Sequence, residues 1–567
     1  MAVIAPALRI NNAEPFHNAA SYRALREQIH RQAIPQSFLP MMKLRTAALQ
    51  GVRPGRLGSG IGQKLIANIL FNLAGQLYVL VLGIAVVPYI VHRLGSGPYG
   101  LTVLVAALGG FAGLLNLGMG TALSKYVAEL YWRQDLDRIR RLFHTALAVS
   151  LLAGAVSWSL LIGFKPWVAS ALFHGDGSAE RYGEFALYVT AFGVLLSMLT
   201  ESLSALPMAL QRFDICNGMN ILLSTLRNLG AVLMLALGLS IRGVLLAYLF
   251  ASIVGVLGYA YWARRLIPNL SFVPKFAWAD FKQLSVFSGS VLLAGLSAVV
   301  VHRLDRVVLA YFLPISVVAF YAIPYSLAER TSMGVASVTS VIFSLASELS
   351  AMREQARLCE LYLRATKMVL LVGLPVTILL VAIPGQILRY YVGAEYANQG
   401  AFALQLLAGG FLLNILARVP FAIAQGIGRP WISAKYSVWN AAVNLVCFFI
   451  FIPRLGVLGG ALGFLISEIL VMPLFIAEVN RLVGVSWWVV ITRAYLRPFI
   501  CGFIGLVLLW VLRSYADSLW VLVLYSLLAL STYGLLAFLV ALDDRESLGI
   551  RTYLSSLWRP AERIANV

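Results

Sequence analysis

Charge is scarce in this 567-residue chain. Asp, Glu, Lys and Arg make up 12% of it, against about 25% in soluble globular proteins, while 60% is apolar and the mean hydropathy is +0.83. That balance excludes a secreted enzyme, a nuclear factor and a membrane-anchored soluble domain. Cysteine is scarce as well. Cys216, Cys359, Cys447 and Cys501 lie far apart with no C-x-x-C, which offers neither a zinc site nor a disulfide framework. None of the six histidines falls in H-E-x-x-H spacing, and neither a G-x-S-x-G turn nor a phosphate-binding P-loop occurs. The longest outer loop expected, Lys165 to Glu184, is short and ordinary in its chemistry. No enzyme constellation, metal or cofactor is expected.

What the chain has instead is apolar length. A bilayer-spanning helix needs about 20 apolar residues, and about fourteen such stretches succeed one another. The expected fold is therefore an all-α polytopic membrane protein. The seventh and eighth spans, 284–312 and 316–345, are interrupted by His302-Arg303-Leu304-Asp305-Arg306 and by Glu329-Arg330. Two cysteines, Cys447 and Cys501, fall inside spans, and Cys216 and Cys359 in cytoplasmic loops.

The net charge of +20 has to be read by location before it is read as affinity for nucleic acid, which needs an exposed basic face. Most of the cations stand in short loops. With the N-terminus inside, the cytoplasmic segments hold roughly 30 Lys and Arg and the opposite loops about 7, the positive-inside bias. Both termini are then cytoplasmic, and no nucleic-acid partner is expected. Residues 1–62 read as a basic, proline-punctuated cytoplasmic leader, either resting on anionic headgroups or without fixed structure; no cleavable signal peptide is evident, and Met41-Met42 offers an alternative start. Residues 543–567 read as a cytoplasmic tail.

An internal repeat is legible. Pro207-Met-Ala-Leu ends the fourth span and Pro420-Phe-Ala-Ile the tenth, while Gly243-Val-Leu opens the sixth and Gly456-Val-Leu the twelfth; both pairs are 213 positions apart. A six-span unit returns the chain to the side it left, so the copies run parallel about an axis along the membrane normal. The expected organisation is a lobe over 63–265, a second over 266–480, and two added helices over 481–542, with a midplane cavity between the lobes.

Intramembrane charge marks the candidate site. Glu201, Arg227, Arg303, Asp305, Arg306, Glu329, Arg330, Arg418, Glu468, Arg493 and Arg497 fall within or at the ends of spans. Facing lipid they would cost on the order of 25–35 kcal/mol, more than a protein's net stability of about 5–15 kcal/mol. Arg493 and Arg497, near a cytoplasmic end, can snorkel. Arg303 and Arg306 share a helix face, and Asp305 is placed to meet Arg330 or another cation. Two readings stay open for this cluster: an interhelical salt bridge that fixes lobe packing, or a cationic cavity wall suited to phosphate, which the arginine fork binds bidentately. Glu201 and Glu468 read either as ion-coupling sites or as carboxyls hydrogen-bonded between helices.

Several segments resemble a known family. Arg93-Leu-Gly-Ser-Gly-Pro-Tyr99-Gly100-Leu101 resembles the R-x-L-G…[FY]-G-L turn of bacterial polysaccharide flippases, and Leu117-Gly-Met-Gly-Thr-Ala-Leu-Ser-Lys125-Tyr-Val-Ala128 is similar to their L-G-L-x-x-A-L-x-[RK]-x-x-A. Leu210-Gln211-Arg212, Asp305-Arg306-Val-Val-Leu-Ala-Tyr-Phe-Leu313 with Tyr321-Ala322, and Ile452-Pro453-Arg-Leu455-Gly456-Val-Leu-Gly459-Gly460-Ala461-Leu462 come next in the family's order. The family is the polysaccharide transporter and oligosaccharidyl-lipid (O-antigen-type) flippase branch of the superfamily that also holds MATE exporters and the lipid II flippase. The resemblance implies two six-helix lobes in a V. It also implies an isoprenoid-diphosphate-linked oligosaccharide moved across the bacterial inner membrane, with a polymerase and a chain-length regulator among the partners of such systems. Arg303, Arg306 and Arg330 would then form the cationic wall, with Lys125, Arg227 and Arg418 as further candidates and Asp305, Glu329, Glu201 and Glu468 as coupling or pairing groups.

Two other functions compete. A MATE-type cation antiporter would want an acidic cavity, and the excess of arginine among the buried charges argues against it. A non-transporting membrane subunit of a polysaccharide assembly system would want a catalytic carboxylate or histidine at an outer loop, where only His92 and His174 stand. The charge asymmetry makes one prediction directly. A cysteine placed near Asp176 should react with an impermeant thiol reagent added outside, and one near Asp280 should not; the reverse pattern would contradict the orientation.

Overall fold

A bilayer leaves no water to pair with exposed peptide groups, so a spanning segment has to satisfy its own backbone, and helices do so. In the computed structural model, which describes residues 60–173, 177–515 and 518–542, the described residues contain no strand. The leader up to residue 59, the loop at Asp176 and the tail 543–567 lie outside the described residues. The chain divides into two units, Met1–Ala74 and Gly75–Val567. Of the first, only the helical stretch 60–74 is described; the packing, cavities and site all belong to the second.

The first half holds α1 (Gly60–Leu94), α2 (Ser96–Gly113), α3 (Met119–Trp132), α4 (Leu136–Gly163), the short α5 (Lys165–Leu172), α6 (Gly177–Ala209), α7 (Phe213–Ala236) and α8 (Ser240–Leu266). The second holds α9 (Trp278–Phe312), α10 (Ile315–Glu329), α11 (Met333–Ala351), α12 (Gln355–Ala382), the short α13 (Pro384–Tyr391), α14 (Ala394–Gly426), α15 (Pro430–Leu455) and α16 (Val457–Val483). Then come α17 (Trp487–Val490), a π turn over Ile491–Tyr495, α18 (Leu496–Leu512) and α19 (Leu519–Leu536). Caps reflect local chemistry: the Asp135 carboxylate accepts from the Arg138 amide at 3.0 Å to start α4, and Pro166, Pro384 and Pro430 open α5, α13 and α15, where their missing N–H costs nothing.

This is a multi-pass membrane protein. Twelve helices among the described residues are long and apolar enough to cross a membrane. The expected number is fourteen, and the remaining two expected spans are α9 and the pair α10–α11. Both are helical, but α9 carries the charged run His302–Arg306, and a 3₁₀ turn over Arg330–Ser332 divides α10 from α11. The helices also outrun the apolar stretches. α6 and α14 have 33 residues each, which is about 50 Å against a hydrocarbon core of about 30 Å. For that reason Cys216 and Cys359 stand in the opening turns of α7 and α12 rather than in loops, and α1 begins at Gly60, inside the leader 1–62.

The helices of the first half gather on α6, which packs against α2, α3, α4 and α8; those of the second gather on α14, which packs against α10, α11, α12, α13 and α16. The repeat shows in these elements. α6 and α14 are equal in length and carry Pro207 and Pro420 near their ends, α8 and α16 both have 27 residues, and the turns before them pass through left-handed Gly238 and Gly456. The two groups meet through α2 against α9 and α10, and through α3 and α4 against α9. Near the N-terminal ends of α2 and α10, Gly100 lies against the carbonyl of Ile315. At the N-terminal ends of α4 and α9, the Arg138 guanidinium donates to the Gln283 side-chain oxygen at 3.1 Å. Leu101, Leu104, Tyr321, Tyr325, Phe411 and Phe464 are buried in one cluster that joins both groups. Leu152, Phe250, Leu257, Leu524 and Leu535 are among the exposed apolar side chains that would face lipid. α18 and α19 dock on α12, where the Tyr533 hydroxyl donates to the Leu371 carbonyl at 3.0 Å.

A Cβ at residue 100 would overlap the Ile315 carbonyl, whereas one at Gly113 meets nothing within 4 Å. Overpacking of this kind costs about 1–3 kcal/mol. Gly100→Ala should therefore lower the thermal midpoint and the yield of monodisperse protein in size-exclusion chromatography, while Gly113→Ala should change neither. Equal behaviour of the two variants would contradict the close approach.

Candidate functional site

α9 carries Arg303, Asp305 and Arg306 within four positions, and the packing of the helix sends each to a different environment. Asp305 points inward and is fully buried; its Oδ1 accepts from the Arg306 amide at 2.8 Å and lies 3.3 Å from the Arg306 guanidinium. The Arg306 side chain is 13% exposed. It folds back to donate to the His302 carbonyl and lies over the Tyr325 ring of α10, 4.5 Å from its centroid. Tyr325 in turn shares a 2.6 Å hydrogen bond with His302 Nδ1. Arg303 takes the other direction. It is exposed, and its Nη1 donates to the Ala106 carbonyl of α2 at 3.1 Å. Gly110 makes room for it, since a Cβ there would stand 2.7 Å from the Arg303 Cδ.

Three cavities meet around these residues. The largest, about 580 Å³, lies between α2 and α9 and is lined by Ala106, Gly295, His302, Arg303, Arg306 and Glu329 among others. A second, about 370 Å³, shares Ala106 and Arg303 with it and runs toward Thr190, Tyr248 and Ser252. A third, about 270 Å³, shares Ala298 and His302 and runs toward Asn414, Arg418, Ser433 and Asn440. Arg303 thus stands in the walls of the first two, and His302 in the walls of the first and third.

The third chamber has several hydrogen-bonding side chains in its walls. Asn414 and Arg418, four apart on α14, share a face. Glu468 on α16 is fully buried and accepts from the Asn440 amide at 3.0 Å. The Asn414 Oδ1, Arg418 Nε, Ser433 Oγ, Asn440 Oδ1 and Glu468 Oε2 atoms are buried without a hydrogen-bond partner among the described residues. Buried polar atoms are rarely left so, and they are the groups that a hydrated or polar occupant would satisfy. In the first half, Glu201 sits in a separate network: its Oε2 accepts from Asn116 at 2.6 Å, and Ser150 bridges Asn116 and Ser202 at 2.8 and 2.7 Å.

The structure therefore brings Arg303, Arg306 and Glu329 to one cavity and Arg418 to an adjoining one. It does not bring Arg330 to Asp305: the Arg330 Nη1 donates to the Leu80 carbonyl of α1 at 3.3 Å. Lys125, exposed on α3 with its ammonium 5.0 Å from the Tyr126 ring centroid, and Arg227, exposed on α7, line none of these three cavities. Sequence reasoning missed His302, Tyr325, Asn414 and Asn440. His302 adjoins the charged run and Asn414 precedes Arg418 by one turn, so helical spacing alone would have flagged both.

Known proteins resemble the chain in sequence and in shape. A family model described as polysaccharide biosynthesis protein matches residues 97–399. A Shigella flexneri protein named as an O-antigen transporter is 23% identical over 407 residues, 72% of this chain and 95% of that one. A Haloferax volcanii protein named as a low-salt glycan biosynthesis flippase is 19% identical over 67% of this chain and 76% of its own length. Among solved structures, the lipid II flippase MurJ in an inward closed conformation superposes with a TM-score of 0.63 at 14% identity, covering 82% of this chain and 98% of that one. An inward-facing multidrug MATE transporter of the MOP superfamily gives 0.59 at 17% identity, over 74% and 99%. These likenesses establish the fold.

The Asp305–Arg306 pair sets a test of what holds the site together. Removing one member of a buried pair costs about 3–5 kcal/mol, because the other is stranded. Arg306→Ala should sharply lower the amount of folded protein, and Asp305→Asn combined with it should restore most of that loss. Abundance is read by size-exclusion chromatography of the tagged chain; additive losses in the double variant would show that the pair is not the binding element.

Proposed function

The chain belongs to the polysaccharide biosynthesis protein family, and from that premise we propose that it is a flippase for an isoprenoid-diphosphate-linked oligosaccharide. It carries the headgroup from the cytoplasmic to the periplasmic leaflet of a bacterial inner membrane, with both of its own termini cytoplasmic and no chemistry done on the cargo. Two lobes, 63–265 and 266–480, alternate access to the cavities between them, and the helices of 481–542 are an appendage. A polymerase and a chain-length regulator are the partners suited to receive the product. The names of the transporter and flippase relatives and the fold shared with MurJ support this reading.

The observation that carries it is the exposed guanidinium of Arg303 in the walls of two cavities, with Arg306 in the wall of the larger. A diphosphate needs fixed positive charge in a wet enclosure, and arginine keeps its charge at any working pH while offering a planar fork of donors. Arg303 is the direct phosphate ligand, because its side chain is free of the Asp305 pairing that occupies Arg306. Arg418, reached through His302, extends the polar path. The contacts at Gly100–Ile315 and Arg138–Gln283 are the seams that would part in turn.

Export per folded molecule is the decisive measurement. Arg303→Ala should reduce it about tenfold or more, the worth of one charge-assisted contact, with abundance unchanged. Arg303→Lys should retain an intermediate rate. Parental export by Arg303→Ala protein would overturn the assignment of this cavity.

A further inference from the structure

Away from the central cavities, a cavity of about 390 Å³ opens where α12 meets the π turn Ile491–Tyr495, walled by Cys359, Glu360, Leu363, Arg364, Lys367 and Arg493. Three of these are cations and one is an acid. Glu360 pairs with Arg364 one turn along α12, so the formal balance of the walls is positive by two. Lys367 lies three positions beyond Arg364, hence on the same face, and is only 3% exposed. The third cation comes from another element. A π turn adds a residue to the helical turn and rotates the helix beyond it, and such turns recur at functional sites; this one packs on α12 and brings Arg493 to the cavity. Arg493 makes no hydrogen bond or ion pair among the described residues, and its guanidinium is exposed.

We infer that this cavity binds the phosphate of an anionic phospholipid headgroup. The exposed guanidinium groups of Arg364 and Arg493, from two elements in one wall, match a phosphate's oxygens, and basic pockets between transmembrane helices take anionic headgroups. A free phosphate would be recognised by the same groups. The lipid is favoured by what borders the cavity. From Arg493 a stripe of exposed apolar side chains, Leu496, Ile500, Phe503 and Val507, runs along α18 at helical spacing, where acyl chains would lie. Trp487 and Trp488, both exposed just before the π turn, are the residue type that settles at headgroup level. This site lies where α12 meets the added helices, away from the central cavities, and does not depend on the flippase reading.

The test is native mass spectrometry of the full purified chain in detergent, titrated with phosphatidylglycerol, with phosphatidylcholine as comparator and inorganic phosphate as competitor. The parent should retain one phosphatidylglycerol tightly and phosphatidylcholine weakly. The double variant Arg364→Gln/Arg493→Gln should bind phosphatidylglycerol about tenfold more weakly, and Arg364→Lys/Arg493→Lys should recover most of the affinity. Both arginines are exposed, so elution volume should be unchanged; if the double variant elutes aggregated, Arg493→Gln alone, which has no ion pair to lose, gives the same reading. Parental affinity in the glutamine variants, or equal affinity for phosphatidylcholine, would overturn the site. Displacement of the lipid by millimolar inorganic phosphate would assign the cavity to a free anion and overturn the lipid.

Discussion

A guanidinium has no resting place in hydrocarbon, and the run His302–Arg306 puts two of them beside a carboxylate on one helix. How α9 disposes of these groups sets the packing around it. Burying Asp305 with Arg306 neutralises both where water is scarce, but a salt bridge alone seldom repays the desolvation of two ions. The rest comes from neighbours: the His302 carbonyl, the Asp305 contact with the Arg306 amide, and the face of the Tyr325 ring. A cation over an aromatic face gains about 2 kcal/mol when desolvated. Tyr325 is therefore held from both sides, by α9 and by the rings of Phe411 and Phe464 at 5.3 and 5.9 Å. The charged pair thus anchors α10 to α9, and through Tyr325 to α14 and α16.

The same constraint explains why one arginine stays outside the pair. With Asp305 committed to Arg306, Arg303 has no carboxylate of its own, and it reaches a backbone carbonyl of α2 across the boundary between the two helix groups. The boundary is built from small residues at that point, Ala106 and Gly110, so the backbones approach closely while leaving an enclosed space. Close approach without interlocking side chains is what allows two packed bodies to part and rejoin, since little has to be unthreaded. A single carbonyl contact to Arg303 is also easily exchanged for phosphate oxygens. The stable part of the charge cluster and the exchangeable part are neighbours on one helix, separated by the turn that points Asp305 inward.

Most of the architecture was legible in the sequence because lipid solvation writes itself in long apolar runs. The repeat was legible because Pro207 and Pro420, and Gly243 and Gly456, keep their spacing. The central charge cluster was legible for the same reason in reverse: Arg303 and Arg306 are conspicuous against apolar flanks. What did not show is where side chains go once helices pack. Arg330 has the same signature as Arg303, yet it is spent on the Leu80 carbonyl, a partner 250 positions away that no spacing argument reaches. Asn440 and Ser433 carry no charge, so nothing in composition marks them, although their buried unpaired atoms call for partners. The π turn at Ile491–Tyr495 left no trace in the pattern, since one extra residue per turn changes neither the composition nor the length of a span.

The formal charge of the main cavity bears on how the proposed cycle is driven. Its walls hold Arg303, Arg306 and Glu329, and Asp305 lies directly behind them. Two positive and two negative groups sum to zero. An empty cavity of that kind moves no net charge when the lobes reset, whereas a cavity loaded with a diphosphate diester moves two negative charges outward. Each elementary charge is worth about 2.3 kcal/mol per 100 mV, so a potential negative inside would assist the loaded step by roughly 4–5 kcal/mol per 100 mV and leave the return step almost untouched. A wall of uncompensated arginines would lose that advantage, since resetting would then carry its own charge through the field. The carboxylates beside the arginines are thus not a dilution of the site. On the proposed reading they leave the arginines as a phosphate-binding point while the formal charge of the cavity as a whole stays zero.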